Sequence, residues 1–169
     1  RVVDLRNTYT HLVEHGTPTD EDRAKQKYYT KLAAQLTPMC KALATEVSNS
    51  ITYDCIQIHG GTGYMRDFNA ERFYRDARIT NIYEGTTQLQ VVAAIRYATN
   101  GFYSTLLDEY LSREVSEAMQ PVRAKIAAMV EKYRAAVEKA QSFGCQETND
   151  FLSRRIYEMA SYCIMASLL

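Results

Sequence analysis

One apolar stripe constrains this chain more than any other feature. Leu32, Leu36, Met39/Cys40, Leu43, Val47, Ile51, Cys55 and Ile58 recur at intervals of three and four. That is the spacing of one helix face, not of a strand, whose side chains alternate. Sustained over about seven turns, it predicts a single amphipathic helix reaching almost to His59, which must lay its face on other helices. Thr19 is positioned to cap the start, and Asp20, Glu21 and Asp22 suit the positive end of the helix dipole. Pro38 lacks a backbone donor and crowds the preceding turn, so a bend is expected there. The run Gly60-Gly61-Thr62-Gly63-Tyr64 ends the helix.

The flanking sequence reads as further helices. Residues 2–15 form one, stopped by Gly16 and Pro18. Residues 69–77 (NAERFYRDA) form a short charged one, followed by a non-helical stretch over 79–85. Thr86 or Thr87 caps the next, which carries Leu89, Val92, Ile95 and Arg96 as far as Asn100-Gly101, and another runs over 102–110. Beyond it lies a helical hairpin. One stripe joins Val115, Met119, Val122, Ile126, Met129/Val130, Tyr133 and Val137, and a second joins Leu152, Ile156, Met159, Cys163 and Ala166. Gly144 and Asn149-Asp150 mark the connection, with Asp150 as cap. The fold expected is all-α, a helical bundle with an extra C-terminal helical hairpin. Seven Gly and three Pro in 169 residues leave little punctuation for an all-β chain.

Lys+Arg and Asp+Glu are each 20, for a formal net charge of zero. A nucleic-acid or polybasic membrane surface needs an excess of cations, so neither partner is expected. No apolar run approaches the roughly 20 residues of a membrane span. Cys40, Cys55, Cys145 and Cys163 have neither metal-binding nor disulfide-framework spacing, which favours a reducing compartment. The first residue is Arg1 rather than Met, and a piece of a longer chain is expected.

The densest chemistry lies in three runs: residues 57–63 (QIHGGTG), 75–79 (RDARI) and 82–88 (IYEGTTQ). A helix ending in glycines lets a bulky ligand approach backbone unshielded by Cβ. A helix beginning after Gly85 offers free N–H groups and a positive dipole end to phosphate or to a developing oxyanion. Glu84 stands just before that end, between Tyr83 and Gly85, where an apolar pocket would alter its proton affinity. On residue types alone this supports an anion or cofactor site and no more.

The continuous block QIHGGTGYMRDFNAERFYRDARITNIYEGTTQLQ, from Gln57 to Gln90, resembles the signature of acyl-CoA dehydrogenases, and the resemblance extends over about residues 19–98. It implies a carboxyl-terminal helical-bundle domain over 1–110 with an additional region over 111–169, as in a subgroup with an extended end. It implies FAD-dependent oxidation of an acyl-CoA thioester to the 2,3-enoyl-CoA. Glu84 matches the catalytic base that removes the α-proton, while the β-hydrogen leaves as hydride to FAD. The N–H of Glu84 matches a donor to the thioester oxygen. Gly85, with Tyr83 beside it, matches the substrate contact, and Thr86, Thr87 and Gln88 match FAD contacts. Gln57, Ile58, His59, Gly60 and Gly61 match the turn touching the adenosine part of a FAD held mainly by a neighbouring subunit. A homo-oligomer (dimer or tetramer), an electron-transfer flavoprotein as acceptor, and a bacterial cytoplasm or mitochondrial matrix follow from the same resemblance. The family's amino-terminal helical and central β-domains are absent from this chain, so the piece alone is expected to be inactive.

Other readings are weighed against this one. A non-catalytic helical oligomerisation module would leave turnover independent of Glu84, and an acyl-CoA oxidase would consume oxygen. His11-Leu-Val-Glu-His15 fits a zinc pattern, but no third ligand follows and no metal site is expected. Arg72, Arg75 and Arg78 either meet pyrophosphate or form a salt-bridged face with Glu71 and Asp76.

Overall fold

A computed structural model describes residues 1–168. Among them there are eight α-helices, one 3₁₀ turn and no strand. Helix α1 (Val2–His15) turns at Gly16 into α2 (Asp20–His59), which runs the full length foreseen from the stripe. Thr19 closes a capping box. Its hydroxyl accepts from the Asp22 N–H at 3.2 Å, and the Asp22 carboxylate accepts from the Thr19 N–H at 2.9 Å.

Pro38 lies inside α2 without interrupting it. The N–H that Pro38 lacks would have met the Ala34 carbonyl, four residues back. On either side of Pro38, the Tyr103 hydroxyl, from another helix, donates to the Gln35 carbonyl at 3.1 Å, and Tyr157 donates to the Met39 carbonyl at 3.3 Å. Two phenols thus tie the middle of α2 to the C-terminal part of the chain.

After α2 come a one-turn helix α3 (Gly61–Tyr64), then α4 (Ala70–Thr80), α5 (Thr87–Thr99) and α6 (Phe102–Leu111). The 3₁₀ turn Glu117–Met119 leads into α7 (Gln120–Ser142), and α8 (Gln146–Ser167) follows. Three expectations are corrected. Residues 79 and 80 belong to α4, so the non-helical stretch is shorter than foreseen. Val115 precedes the 3₁₀ turn instead of sharing the α7 helix. Asp150 lies inside α8, whose cap position is Cys145, and takes a bond from Gln146 at 2.8 Å. In each case packing outweighs the local signal.

Helix α5 packs on α2, α6, α7 and α8. Its Val91, Ala94, Ile95 and Ala98 are buried, and the two alanines let neighbouring helices approach closely. The core continues through Tyr103, Leu106 and Leu107 of α6, Val130 and Tyr133 of α7, and Ile156, Ala160 and Cys163 of α8. The C-terminal hairpin therefore shares one core with the preceding helices. All four cysteines are free thiols.

Candidate functional site

The segment 81–86 joins α4 to α5 and holds Glu84 at its apex. Its backbone is tied down at almost every carbonyl. Ile82 and Tyr83 donate to the Ile79 carbonyl at 2.9 and 3.1 Å, and the Thr87 N–H closes the loop on the Asn81 carbonyl at 3.1 Å. Lys41 reaches across from α2, donating to the Tyr83 carbonyl at 2.8 Å and the Gly85 carbonyl at 2.5 Å. The same ammonium stands 5.6 Å from the centre of the Tyr83 ring. Gln90 Nε2 donates to the Glu84 carbonyl at 3.1 Å.

Glu84 has φ 52°, the sole positive φ of a non-glycine residue among those described. A side chain in the left-handed region costs about 1–2 kcal/mol, and such residues persist only where their surroundings over-determine them. The Lys41 and Gln90 bonds do so here. Gly85 follows at φ 90°, a region open to glycine. Among the described residues nothing accepts a bond from the Glu84 N–H.

The base of the loop is equally fixed. Asn49 of α2 donates to Asn81 Oδ1 and to the Ala77 carbonyl, each at 2.9 Å. Asn81 donates to Glu46 at 3.3 Å, and Glu46 pairs with Arg154 of α8 at 3.2 Å. Arg154 also meets Glu158 at 3.0 Å.

Glu84, Tyr83 and Ile82 all face outward. The apolar pocket foreseen around Glu84 is not formed by this chain's own residues. Of the three residues after Gly85, Thr86 caps α5, its hydroxyl accepting from the Leu89 N–H at 3.5 Å, and Gln88 is exposed. Thr87 instead turns inward; its hydroxyl is buried and has no partner among the described residues.

The glycine turn is a separate place. Gln57, Ile58, His59, Gly60 and Gly61 are exposed at the far end of α2, sixteen residues beyond Lys41, which is roughly 24 Å along the helix. Gly60 takes φ 61°. Gly61 has no such demand, and a Cβ there would meet nothing of this chain within 4 Å, whereas at Gly63 it would come within 2.7 Å of His59 Cβ. Gly63 is thus required by the fold, while Gly61 offers bare backbone outward. His59 Nδ1 lies 2.8 Å from the Cys55 carbonyl, so Nδ1 carries the proton and Nε2 is left outward.

Two arginines of α4 are salt-bridged, Arg75 to Glu71 at 2.5 Å and Arg72 to Asp76 at 3.8 Å, while Arg78 makes no ion pair among the described residues. His11 and His15 share a face of α1 with rings 4.9 Å apart. Among the described residues no three His, Cys, Asp or Glu side chains gather around a metal position. Lys41 and Gln90 were missed by sequence reasoning. A lysine between the stripe residues Cys40 and Leu43 was the available signal.

The acyl-CoA dehydrogenase C-terminal-domain family model matches residues 9–97, and a second, acyl-CoA dehydrogenase C terminal, matches 99–169. Acryloyl-CoA reductase (NADH) of Anaerotignum propionicum is 37% identical over 101 residues, covering 56% of this chain and 26% of that protein. The mitochondrial short-chain specific acyl-CoA dehydrogenase of Bos taurus is 51% identical over 65 residues, covering 38% of this chain and 15% of that protein. The caffeyl-CoA reductase–Etf complex subunit CarC of Acetobacterium woodii is 47% identical over 60 residues, 36% of this chain and 16% of that one. The chain thus spans about a quarter or less of the length of these relatives. In fold it follows the acyl-CoA dehydrogenase complexed with FAD from Bacillus anthracis, with a TM-score of 0.64 at 22% identity, over 99% of this chain and 30% of that one. With the domain model spanning more than half of its residues, the chain belongs to the acyl-CoA dehydrogenase family.

Proposed function

We propose that this chain carries the catalytic base of a flavoprotein that oxidises an acyl-CoA thioester to the 2,3-enoyl-CoA, and that Glu84 is the base. The observation that carries the reading is the Glu84 loop: a carboxylate on a backbone held at 81–87, with its own N–H unclaimed. An α-proton beside a thioester is too weakly acidic for a freely moving carboxylate. It yields when base and oxyanion donor are both placed beforehand. Glu84 takes the α-proton, its N–H stabilises the thioester oxygen as charge develops there, and Gly85 and Tyr83 line the acyl-CoA. Water is excluded from Glu84 by whatever covers the outward-facing Tyr83 and Ile82.

FAD, the group in the Bacillus anthracis protein, would supply the hydride acceptor. The residues fit it at two places. Thr86, Thr87 and Gln88 lie at the α5 N-terminus, where Thr86 and Gln88 face outward and Thr87 is turned inward with its N–H on the Asn81 carbonyl. Gln57, Ile58, His59, Gly60 and Gly61 form the second place, where Gly61 leaves the close approach a flat ring system needs. The second place lies roughly 24 Å along α2 from Lys41, apart from the first, and in this reading it meets the flavin of a neighbouring subunit in a homo-oligomer.

Electron-transfer flavoprotein is the proposed acceptor, in keeping with the Etf complex named for the Acetobacterium relative. The relatives are bacterial and mitochondrial, and among the described residues no helix is long and apolar enough to cross a membrane. Residues 1–110 are proposed as the bundle domain proper and 111–169 as its added region. Two relatives are named reductases, which favours as second reading the same site run backwards, Glu84 returning a proton to the α-carbon.

The test is anaerobic addition of acyl-CoAs to the full-length protein, wild type against Glu84→Gln, following loss of the oxidised flavin band. Bleaching should slow on the order of 10²–10⁴-fold in the variant with flavin still bound. Equal bleaching would remove Glu84 from the mechanism, and oxygen consumption in a parallel aerobic run would point to an oxidase.

A further inference from the structure

Resting on Glu84 as base, we propose that Lys41 is its positioning residue, fixing both the conformation of Glu84 and the direction of its N–H. In a trans peptide the carbonyl and the following N–H lie in one plane and point in opposite directions. The Tyr83 carbonyl and the Glu84 N–H belong to one such plane. Lys41 draws that carbonyl toward α2 at 2.8 Å, so the N–H of Glu84 is turned away from α2, where no described residue accepts it. The Gly85 carbonyl, on the other side of Glu84, is drawn to the same ammonium at 2.5 Å.

Two carbonyls that flank a pair of residues, Glu84 and Gly85, are brought to a single ammonium when the chain between them folds back on itself. The positive φ values of Glu84 and Gly85, 52° and 90°, are that fold-back. Lys41 suits the task because an ammonium carries three donors on one atom, and bonds from a charged donor are the stronger kind. Its stem rises from α2 beside Met39 and Ala42, which are anchored in the core. The ammonium is therefore referenced to the rigid part of the molecule. Lys41 touches neither substrate nor flavin in this scheme; it acts through Glu84.

The test compares wild type, Lys41→Met, Lys41→Arg and Glu84→Gln in the full-length, flavin-loaded protein under anaerobic acyl-CoA addition. Lys41→Met should slow bleaching at saturating acyl-CoA by on the order of 10²-fold, the penalty of a misplacement of about 1 Å. The half-saturating acyl-CoA concentration and flavin content should stay within about twofold, and Lys41→Arg should recover part of the rate because it keeps the charge and two donors. A readout free of turnover accompanies these: in the flavin-free protein the Thr87 amide, bonded to the Asn81 carbonyl, should exchange faster in Lys41→Met. If Lys41→Met bleaches at the wild-type rate while Glu84→Gln does not bleach, the positioning role is overturned and the base stands. If Glu84→Gln bleaches normally, the base reading falls and takes this one with it. Should Lys41→Met fail to fold, Lys41→Gln, with a shorter neutral donor, is measured in its place against the same expectations.

Discussion

The two halves of α2 obey one periodicity and meet different fates. From Leu32 to Ala42 the helix is buried at Leu32, Ala33, Gln35, Met39 and Ala42, with Leu36 half-buried and Cys40 exposed. From Leu43 to His59 no residue is buried, and Ile51, Tyr53 and Ile58 are 62%, 58% and 82% exposed. Around that second half Tyr64, Phe73, Ile79 and Leu89 are also exposed. A stripe of apolar residues declares that a face will be covered; it does not declare by what. The first half is met by Tyr103 of α6 and Tyr157 of α8, and α1, α5 and α8 of the same chain pack on α2. The second carries the glycine turn, and in the proposed function a neighbouring subunit lies against it.

The largest effect should come from cutting into the covered end. Leu107, fully buried on α6, should cost about 2–5 kcal/mol when replaced by alanine, read as a shift in chemical denaturation. A cost below 1 kcal/mol would mean the covered end is no better packed than the open one.

A second probe uses pH. Burial pushes the Tyr157 phenol up to about 12 from an ordinary 10.0, and Tyr103 and Tyr133 are also pushed up by burial. Because the folded state keeps protons the unfolded chain would release, stability is full below pH 10 and falls as pH rises through 12. Tyr157→Phe, which also gives up the bond to the Met39 carbonyl, should cost about 1 kcal/mol at neutral pH and flatten part of the alkaline slope. An unchanged slope would place that phenol in contact with water.

The smallest effect belongs to the open end. Ile58→Ser should change the stability of this chain alone by no more than about 0.5 kcal/mol. A loss of several kcal/mol would show that the face is covered within the chain after all.

Much of the architecture was legible because local signals agreed with packing. Gly16 and Pro18, the Thr19 cap and Gly60 bound α1 and α2 at the residues expected. The signals that misled were weak ones overruled by neighbours. Asp150 is a good cap by type, but the turn at Gly144 lets α8 begin earlier, and Ile79 and Thr80 continue α4 because Asn49 holds its last turn. In the site, the position of Glu84 came from the motif, while its conformation did not. That conformation depends on Lys41, forty-odd residues upstream, and no spacing rule joins a lysine on one helix to two carbonyls beyond another.

The unbroken course of α2 also makes it a gauge. Each residue added between Lys41 and Gln57 would carry the glycine turn on by 1.5 Å and swing it through about 100°. One inserted residue would thus aim Gly61 at a different quarter of its surroundings while the Glu84 loop stayed where it was. Substitutions along this stretch leave that spacing intact; insertions and deletions do not. In evolutionary terms, α2 can vary in letters far more freely than in length.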